Sequence, residues 1–432
     1  MIELQTDRNE KERVVLAGVW ETSDGGTYVD FLHSMEELEE LAAACEKEPV
    51  ENVVQTLEKR TAALYMGSGK VAEIKGAVAQ NDASAVIFND TLTPVQIRNL
   101  QKQLGVNVID RTALIIEIFG IRARTREAKL QVELARLAYM KPRLIGMWEK
   151  QNRQGGASGA MSSKGEGETQ LEIDRRTIDH RLADLRRELR VVERERRTQR
   201  KRRGSSGLPL VSLVGYTNAG KSTIMNAFVK ACTEKEKQVF EADMLFATLD
   251  TMVRRIKASV GNEFLLSDTV GFIQKLPTGL IEAFKSTLEE VKEADLILHV
   301  VDYSDGYYKD HMQTTLDTIA ELGAGDVPVI TVYNKCDLRG DTAYPRRGGE
   351  TRGGAGAADS GSVYISAAQE DSIRMLAEVI GEAVNGRVVE EELFFSYDKG
   401  GEMSELIARS EVVSREYAPD GVRLTVRRRK KP

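Results

Sequence analysis

A chain of 432 residues with 41% hydrophobic and 30% charged side chains has a globular composition, and its length exceeds what one hydrophobic core accommodates. Its three scattered cysteines argue against a disulfide framework and against a zinc site, and they favour a reducing, cytoplasmic location. There is no leader-like N-terminus, no lipidation motif and no apolar run near the roughly 20 residues that cross a bilayer, so we expect no membrane anchor.

Residues 12–122 alternate between short β-branched stretches and stretches of helical character. This alternation predicts a parallel α/β domain, which we assign to residues 1–124. The predicted strands are Val14–Val19, Val53–Leu57, Ala85–Phe88 and Val106–Ile109, and the predicted helices are Met35–Cys45, Lys70–Gln80, Pro94–Leu104 and Arg111–Ile121.

The segment Gly67–Lys70 of this domain is similar to a phosphate-binding loop. The full pattern requires glycine where the chain has Leu64, and Ser or Thr where it has Val71. We therefore interpret the segment as a turn and a helix start, with a second nucleotide contact as the alternative.

From Thr125 onwards, leucines recur at helical spacing. Leu130, Leu134 and Leu137 mark one helix, and a second apolar seam follows the glycine-rich run at 154–168. Two long helices joined by a glycine-rich tip predict an antiparallel hairpin over residues 125–203. The second seam consists of Leu171, Ile178, Leu182, Leu185, Leu189 and Val192.

The second helix of this hairpin is strongly basic. Residues 175–203 contain thirteen Arg or Lys against five Asp or Glu, a local net charge of +8. A solvated coiled-coil face is one interpretation, but the uncompensated basic end favours a polyanion such as RNA, contacted through its backbone. The predicted RNA-binding residues are Arg175, Arg176, Arg200, Lys201, Arg202 and Arg203.

The stretch Leu210–Asn226 contains a phosphate-loop motif. An apolar run ends at Gly215, and Gly220-Lys221-Ser222 then leads into a helical stretch, which is the context that G-x-x-x-x-G-K-[ST] requires. Backbone N–H groups can converge on phosphate oxygens, Lys221 can add charge at the β- and γ-phosphates, and Ser222 can ligate Mg²⁺. The predicted nucleotide contacts here are Gly215, Asn218, Ala219, Gly220, Lys221, Ser222 and Thr223.

Two motifs further along the chain complete the phosphate and metal site. In Asp268-Thr-Val-Gly271, the acid can hold Mg²⁺ through its water shell, and the glycine lets a backbone N–H approach the γ-phosphate. Between this motif and the phosphate loop, Thr248 is the predicted switch residue that closes on Mg²⁺ and the γ-phosphate, with Thr251 as the alternative. The predicted Mg²⁺ ligands are Ser222, Thr248 and Asp268, and the predicted catalytic residues are Lys221, Thr248 and Gly271.

The base is predicted to be guanine. In Asn334-Lys335-Cys336-Asp337, the last residue can accept both N1–H and N2–H₂ of guanine, a donor pair that adenine lacks. Lys335 can lie over the base, Asn334 can tie this loop to the phosphate loop, and the backbone at Ser366 and Ala367 can reach guanine O6. Four motifs in this order, each after a predicted strand, predict a GTP-binding domain over residues 208–386.

Phe272 follows Gly271 at a position where many such enzymes carry a water-orienting glutamine. A phenyl ring cannot orient water by hydrogen bonds. We therefore expect slow intrinsic hydrolysis that a partner accelerates by ordering the switches, and Phe272→Ala should not abolish activity.

The remaining segments are a predicted mobile insertion at 341–361, poor in apolar side chains, and a small C-terminal α/β domain at 390–432. The latter shows a strand at Leu393–Tyr397, a helix at Met403–Ser410, strands around Val412 and at Val422–Val426, and a basic end. The fold class is thus α/β, with an N-terminal parallel domain bearing a long helical hairpin, a P-loop domain and a C-terminal appendage.

At these motifs the chain resembles the HflX family of ribosome-associated GTPases, within the Obg–HflX group. The sequence GETQLE followed by DRR, placed before a GTP domain, is specific to this family, and the resemblance covers nearly the whole chain. One departure is Ser163–Gly167, where the family usually has Arg-Gly-Pro-Gly, so that Glu166 replaces a stiffening proline. The similar segments are 108–112, 119–135, 165–176, 215–223, 246–255, 268–277, 334–337 and 365–367.

We expect a monomer that binds GTP, GDP and Mg²⁺. The resemblance implies docking on the 50S ribosomal subunit, with the hairpin tip directed towards 23S rRNA of the peptidyl-transferase region. It implies GTP-linked splitting of stalled or stressed ribosomes, with Lys221 and Ser222 at the phosphates and Mg²⁺, Thr248 and Asp268 in the switches, and Asn334 and Asp337 reading guanine. The resemblance also implies hydrolysis of ATP, for which the N-terminal domain is the candidate. A GTP-gated RNA or ribosome anchor and an RNA-remodelling ATPase are the alternatives.

Overall fold

The computed structural model describes residues 11–23, 25–143, 163–204, 208–232, 252–259, 262–269, 271–273, 290–340, 343–348, 361–385 and 387–430. Its described residues up to Arg197 form one unit and those from Thr198 onwards form a second. Within these ranges, no helix combines the length and apolarity needed to cross a membrane. The division into four domains stays a prediction.

The first unit begins with alternating strands and helices. Each of helices α1 and α3 begins at a capping box, in which Thr27 pairs with Asp30 and Thr93 with Gln96. The four strands form a parallel sheet in the order β2-β1-β3-β4, as the alternation predicts. The elements are β1 (Glu12–Glu21), α1 (Tyr28–Ala44), β2 (Lys47–Leu57), α2 (Ser68–Asn81), β3 (Ala85–Phe88), α3 (Pro94–Leu104), β4 (Asn107–Asp110) and α4 (Arg111–Arg122).

The segment Gly67–Lys70 is the start of α2, in agreement with the preferred sequence interpretation. Gly67 is the N-cap residue, and its N–H donates to Oε1 of Gln55 at 2.9 Å. The ammonium group of Lys70 lies 2.8 Å from the carboxylate of Glu73, one turn further along the same helix. These contacts suit a helix start.

Helices α5 (Arg126–Met140) and α6 (Ser163–Gly204) form the predicted antiparallel hairpin. Their ion pairs run in opposite chain order, because Arg126 pairs with Glu188, Arg181 with Glu133, and Lys141 with Asp179. These exposed pairs contribute little energy, and the hairpin is held mainly by buried leucines. The buried leucines are Leu130, Leu134, Leu182, Leu185 and Leu189.

The glycine-rich tip is shorter than predicted, because its last residues, 163–168, belong to α6. The sequence of this stretch contains Glu166 and Glu168, and acidic residue types are favourable near a helix N-terminus, where the helix dipole is positive. Gly165 and Gly167 each cost about 1 kcal/mol in a helix interior, and this glycine content is why the sequence predicts a loop there.

The second unit contains a seven-stranded sheet in the order β10-β11-β9-β8-β5-β7-β6. The five inner strands are parallel, and the two edge strands β6 and β10 are antiparallel to their neighbours. The elements are β5 (Leu210–Gly215), α7 (Lys221–Cys232), β6 (Met252–Ser259), β7 (Asn262–Asp268), β8 (Leu296–Asp302), α8 (Tyr308–Glu321), β9 (Val329–Asn334), β10 (Arg346–Arg347), β11 (Ser362–Tyr364) and α9 (Glu370–Asn385).

The main core of this sheet lies between the strands and helices α7 and α9. Val211, Leu298 and Val332 from three parallel strands pack there with Phe228 of α7 and Leu376 of α9, all buried. Because the inner strands are parallel, their carboxyl ends share one edge, where ligands of open α/β sheets bind. The predicted nucleotide motifs follow these carboxyl ends.

The predicted mobile insertion at 341–361 is structured in part. Arg346 and Arg347 form β10, which pairs with Tyr364 and Val363 of β11. The guanidinium of Arg346 lies 3.7 Å from the ring centre of Tyr364, so a cation–π contact offsets the poor apolar content of the segment. Residues 341–342 and 349–360 lie outside the described residues.

The C-terminal segment forms three antiparallel strands in the order β12-β14-β13 and one helix. Val422, Leu424 and Val426 form its small core beneath the helix. The predicted element types are all present, but each is longer than predicted. They are β12 (Arg387–Ser396), α10 (Gly400–Arg409), β13 (Glu411–Ala418) and β14 (Gly421–Lys430).

Candidate nucleotide-binding site

The phosphate loop connects β5 to α7 and depends on glycine at both ends. A β-carbon at Gly215 would lie 2.1 Å from the carbonyl oxygen of Val300, and one at Gly220 would lie 2.2 Å from Nδ2 of Asn334. Gly220 also has a φ of +92°, and Asn218 has a φ of +60°, in the left-handed region. Because these glycines have no side chain, the backbone of the loop can lie close to its neighbours and to a ligand.

Lys221 is buried at the start of α7. Its Nζ donates to the carbonyl oxygens of Gly215 at 3.0 Å and Tyr216 at 2.6 Å. An ammonium group has three N–H donors, so these two contacts fix its direction and leave one donor for a phosphate oxygen. Burial lowers the pKa of Lys221 to about 8, and the carboxylate of Asp268 opposes this shift.

This pKa predicts a pH-dependent nucleotide affinity. Bound phosphates favour the charged ammonium, so binding above pH 8 takes up a proton, and affinity falls as pH rises through the pKa of the empty site. We expect the Kd for GDP to rise about tenfold between pH 7 and pH 9, measured by fluorescent-nucleotide titration. Lys221→Arg, whose guanidinium stays protonated, should flatten this dependence. An equal Kd at both pH values in the unaltered protein would contradict the assignment.

Ser222, which is half-buried, and the buried Asp268 are hydrogen-bonded to each other, and both are predicted Mg²⁺ ligands. Oγ of Ser222 donates to Oδ2 of Asp268 at 2.8 Å, and Asp268, at the end of β7, is fully buried. Thr269, the next residue, donates from Oγ1 to the carbonyl oxygen of Leu213 at 2.6 Å and holds β7 beside β5. A hydroxyl and a carboxylate are ligands that Mg²⁺ accepts in proteins, so this donor set fits the ion.

Gly271 contacts the phosphate loop directly. A β-carbon there would lie 2.9 Å from Cα of Thr217 and 3.1 Å from Nζ of Lys221. The next residue, Phe272, makes two backbone hydrogen bonds to the loop. Its N–H donates to the carbonyl oxygen of Gly215 at 3.1 Å, and its carbonyl oxygen accepts from the N–H of Thr217 at 2.8 Å. Backbone hydrogen bonds thus join the segment that follows the DTVG motif to the phosphate loop.

The side chain of Phe272 is 2% exposed and belongs to a small core with Val214, Ile297 and Ile319. The ring is therefore a packing element, which agrees with the expectation that it orients no water. This burial also determines which substitution can test that expectation.

Phe272→Ala is expected to destabilise the protein by about 3–5 kcal/mol, because it removes a buried ring and leaves a cavity. Chemical denaturation of the full chain measures this loss. Phe272→Leu keeps most of the packing, so it is the variant in which GTP turnover can be compared at equal folding. A loss below about 1 kcal/mol for alanine would contradict the packing role.

Asn334 joins three of the predicted motifs. Its Nδ2 donates to the carbonyl oxygen of Ala219 at 3.0 Å, and its Oδ1 accepts from Ala367 N–H at 3.0 Å. The side chain is 2% exposed, so both contacts are shielded from water. Ser366 is buried beside Ala367, and its N–H donates to Oγ of Ser372 at 3.2 Å.

Lys335 and Asp337 follow on the same loop. Lys335 has a φ of +60°, and its Nζ lies 2.8 Å from Oδ2 of Asp302. Asp337 is exposed on the short 3₁₀ turn Cys336–Leu338, where its carboxylate is open to a ligand.

One buried residue near the loop was missed by the sequence analysis. His299 on β8 pairs in register with Val214 and is 1% exposed. Burial and, to a smaller extent, the charge of Lys221 lower the pKa of His299 to about 4, so the ring is neutral near neutral pH. The signal available in the sequence was a lone histidine within an apolar strand, a weak indication by itself.

Other predicted site residues are placed as follows. Thr223 lies in the first turn of α7. Thr248 and its alternative Thr251 lie outside the described residues, as do the side chains of Arg200, Lys201, Arg202 and Arg203. Arg175 and Arg176 are exposed on α6, in the first unit.

Three family models match successive parts of the chain. They are described as GTP-binding GTPase N-terminal, over residues 32–120, GTP-binding GTPase Middle Region, over 122–203, and 50S ribosome-binding GTPase, over 210–335.

Two similar proteins from different organisms carry the same name, GTPase HflX. GTPase HflX of Alkalihalophilus pseudofirmus is 42% identical over 371 residues, which cover 86% of this chain and 83% of that protein. GTPase HflX of Caldanaerobacter subterraneus subsp. tengcongensis is 39% identical over 413 residues, covering 96% and 90%. A GTP-binding protein from Sulfolobus solfataricus, solved in complex with GDP, is 20% identical, with a TM-score of 0.42 over 86% of this chain and 98% of its own. On the identity and coverage of the two HflX proteins, the chain belongs to the HflX family of GTPases.

Proposed function

We propose that this protein is a ribosome-associated GTPase that binds the 50S subunit and uses GTP to split or remodel stalled ribosomes. The observation that supports the nucleotide assignment best is the bridge made by Asn334, which links the base-reading loop to the phosphate loop at Ala219 and to the segment at Ala367 that is predicted to reach guanine O6. Membership of a GTPase family and the match of residues 210–335 to a family described as 50S ribosome-binding GTPase support the ribosome assignment.

The proposed chemistry is phosphoryl transfer from GTP to water. The backbone N–H groups of the loop and Lys221 bind the phosphates, and Lys221 offsets the negative charge that develops on the oxygens. Ser222 and Asp268 would hold Mg²⁺, which neutralises phosphate charge when bound. Asp337 and the backbone at Ala367 would select guanine.

Dependence on a partner is part of the proposal. Phe272 is a core residue, so the position after Gly271 supplies no hydrogen bond to an attacking water. We propose that the ribosome orders the switch that contains Thr248. A fast basal rate in the pure protein would contradict this step.

The hairpin formed by α5 and α6 is the proposed contact with 23S rRNA. Arg175 and Arg176 are exposed, and the local net charge of residues 175–203 is +8. Positive charge on a long, exposed helix attracts a phosphate backbone without reading its sequence.

The experiment that tests the proposal is GTP turnover with and without 50S subunits across a salt series. We expect at least about tenfold stimulation at low salt, and a steep loss of the apparent affinity for 50S as salt rises, because counterions are released from RNA. 30S subunits are the control. Equal turnover with either subunit would contradict ribosome-dependent activation.

Splitting and anchoring are separated by sucrose-gradient profiles of 70S ribosomes with GTP or a non-hydrolysable analogue. Release of free subunits supports splitting. Co-sedimentation with intact 70S particles supports the alternative of a GTP-gated anchor.

A further inference from the structure

Asp302 is an acid at the carboxyl end of β8 that belongs to none of the predicted nucleotide motifs. It lies at the same sheet edge as Gly215, Asp268 and Asn334, on the strand between β5 and β9. Its contacts connect it to the loop predicted to read guanine.

The two oxygens of the Asp302 carboxylate have different partners. Oδ1 accepts from the N–H of Ser304 at 3.0 Å and from its hydroxyl at 2.5 Å. Oδ2 lies 2.8 Å from Nζ of Lys335, in a pair whose side chains are 20% and 25% exposed. Because Ser304 fixes Oδ1, the carboxylate is held in an orientation in which Oδ2 can pair with the ammonium group of Lys335.

The backbone of the same turn holds the residue before Lys335. The N–H of Tyr303 donates to the carbonyl oxygen of Asn334 at 2.9 Å. Arg339, beyond the base-reading turn, donates from a guanidinium nitrogen to the carbonyl oxygen of Tyr303 at 3.1 Å. Residues 302–304 thus contact the base-reading loop both at its start, at Asn334 and Lys335, and just after its end, at Arg339.

Lys335 needs such support, because its backbone lies in the left-handed region with φ +60° and ψ +32°. A residue with a β-carbon is disfavoured there. Lys335 is also the N-cap residue of the 3₁₀ turn on which Asp337 lies. An anchor on its ammonium group therefore restrains both the lysine stem and the turn that carries Asp337.

We propose that Asp302 is a positioning residue for guanine recognition, which keeps the stem of Lys335 extended across the base site. The inference rests on the proposed GTP-binding function and adds a residue outside its motifs. The pair leaves the aliphatic stem of Lys335 as the surface that covers the face of the base, while its charge is neutralised at the tip.

The test is a double-mutant cycle on the full chain, read as the Kd of a fluorescent GDP analogue. Asp302→Ala is expected to raise the Kd about fivefold, and to change it by less than about 1.5-fold when Lys335→Ala is already present. Asp302→Asn, which keeps an acceptor for Ser304, should raise the Kd about threefold, and it replaces the alanine variant if that does not fold. Asp326→Ala, an exposed acid of the same unit, is the control.

A purely structural role would give a different pattern. In that case Asp302→Ala would raise the Kd for GDP by the same factor in the unaltered protein and in the Lys335→Ala variant, and this additivity would overturn the inference. If the unaltered chain bound no GDP, the proposed function itself would fail. Additive effects with normal binding by the unaltered chain would reject the role of Asp302 alone.

Discussion

Lys221→Ala is expected to reduce kcat/KM for GTP hydrolysis by about 100-fold or more. If Lys221 faces the phosphates as proposed, its buried ammonium group stabilises developing charge in a site of low dielectric, where removal of one such donor has effects of this size. The substitution also removes the hydrogen bonds that Nζ of Lys221 donates to the carbonyl oxygens of Gly215 at 3.0 Å and Tyr216 at 2.6 Å. Single-turnover GTP hydrolysis at saturating 50S measures the effect.

Lys230→Ala is the matched control, because Lys230 is exposed in the last turn of the same helix, α7. It should leave kcat/KM within about twofold of the unaltered protein. Lys221→Met fills the site without charge and separates electrostatics from packing. A Lys221→Met variant with near-normal turnover would contradict the electrostatic role.

The site could be anticipated from the sequence because each motif follows a buried strand. In a parallel sheet the strand ends converge, so Lys221, Asp268 and Asn334, separated by up to 113 positions, had to share one edge. The contact between Asn334 and the phosphate loop was predicted and is present at 3.0 Å. Such convergence depends on strand order more than on side-chain detail.

What could not be anticipated depends on tertiary context. The strand β2 begins at Lys47, six residues before its predicted start, because an edge strand tolerates polar residues and Pro49. The strand β10 pairs with β11, and Arg346 stacks on Tyr364 there, a contact that no local pattern indicates. Likewise, the pairing of Asp302 with Lys335 joins residues 33 positions apart with no motif spacing to reveal it.

Asp337→Asn is expected to weaken GTP binding by about 100-fold or more and to shift preference towards xanthosine triphosphate. The exposed carboxylate can accept two hydrogen bonds from guanine, and charge-assisted bonds contribute about 1.5–3 kcal/mol each. Asparagine offers one acceptor and one donor, which matches a base carrying a carbonyl at C2 in place of the amino group. Competition of each triphosphate against a fluorescent GDP analogue measures the change.

The matched control is Asp326→Asn, at an exposed turn of the same unit, which should leave both affinities unchanged. The result also separates the GTPase from the ATPase alternative. If Asp337 reads guanine, ribosome-stimulated turnover by Asp337→Asn should be lost with GTP and restored with xanthosine triphosphate, since Lys221, Ser222 and Asp268 are untouched. Undiminished turnover of GTP by this variant would show that the exposed carboxylate takes no part in base selection, and the guanine assignment would fall with it.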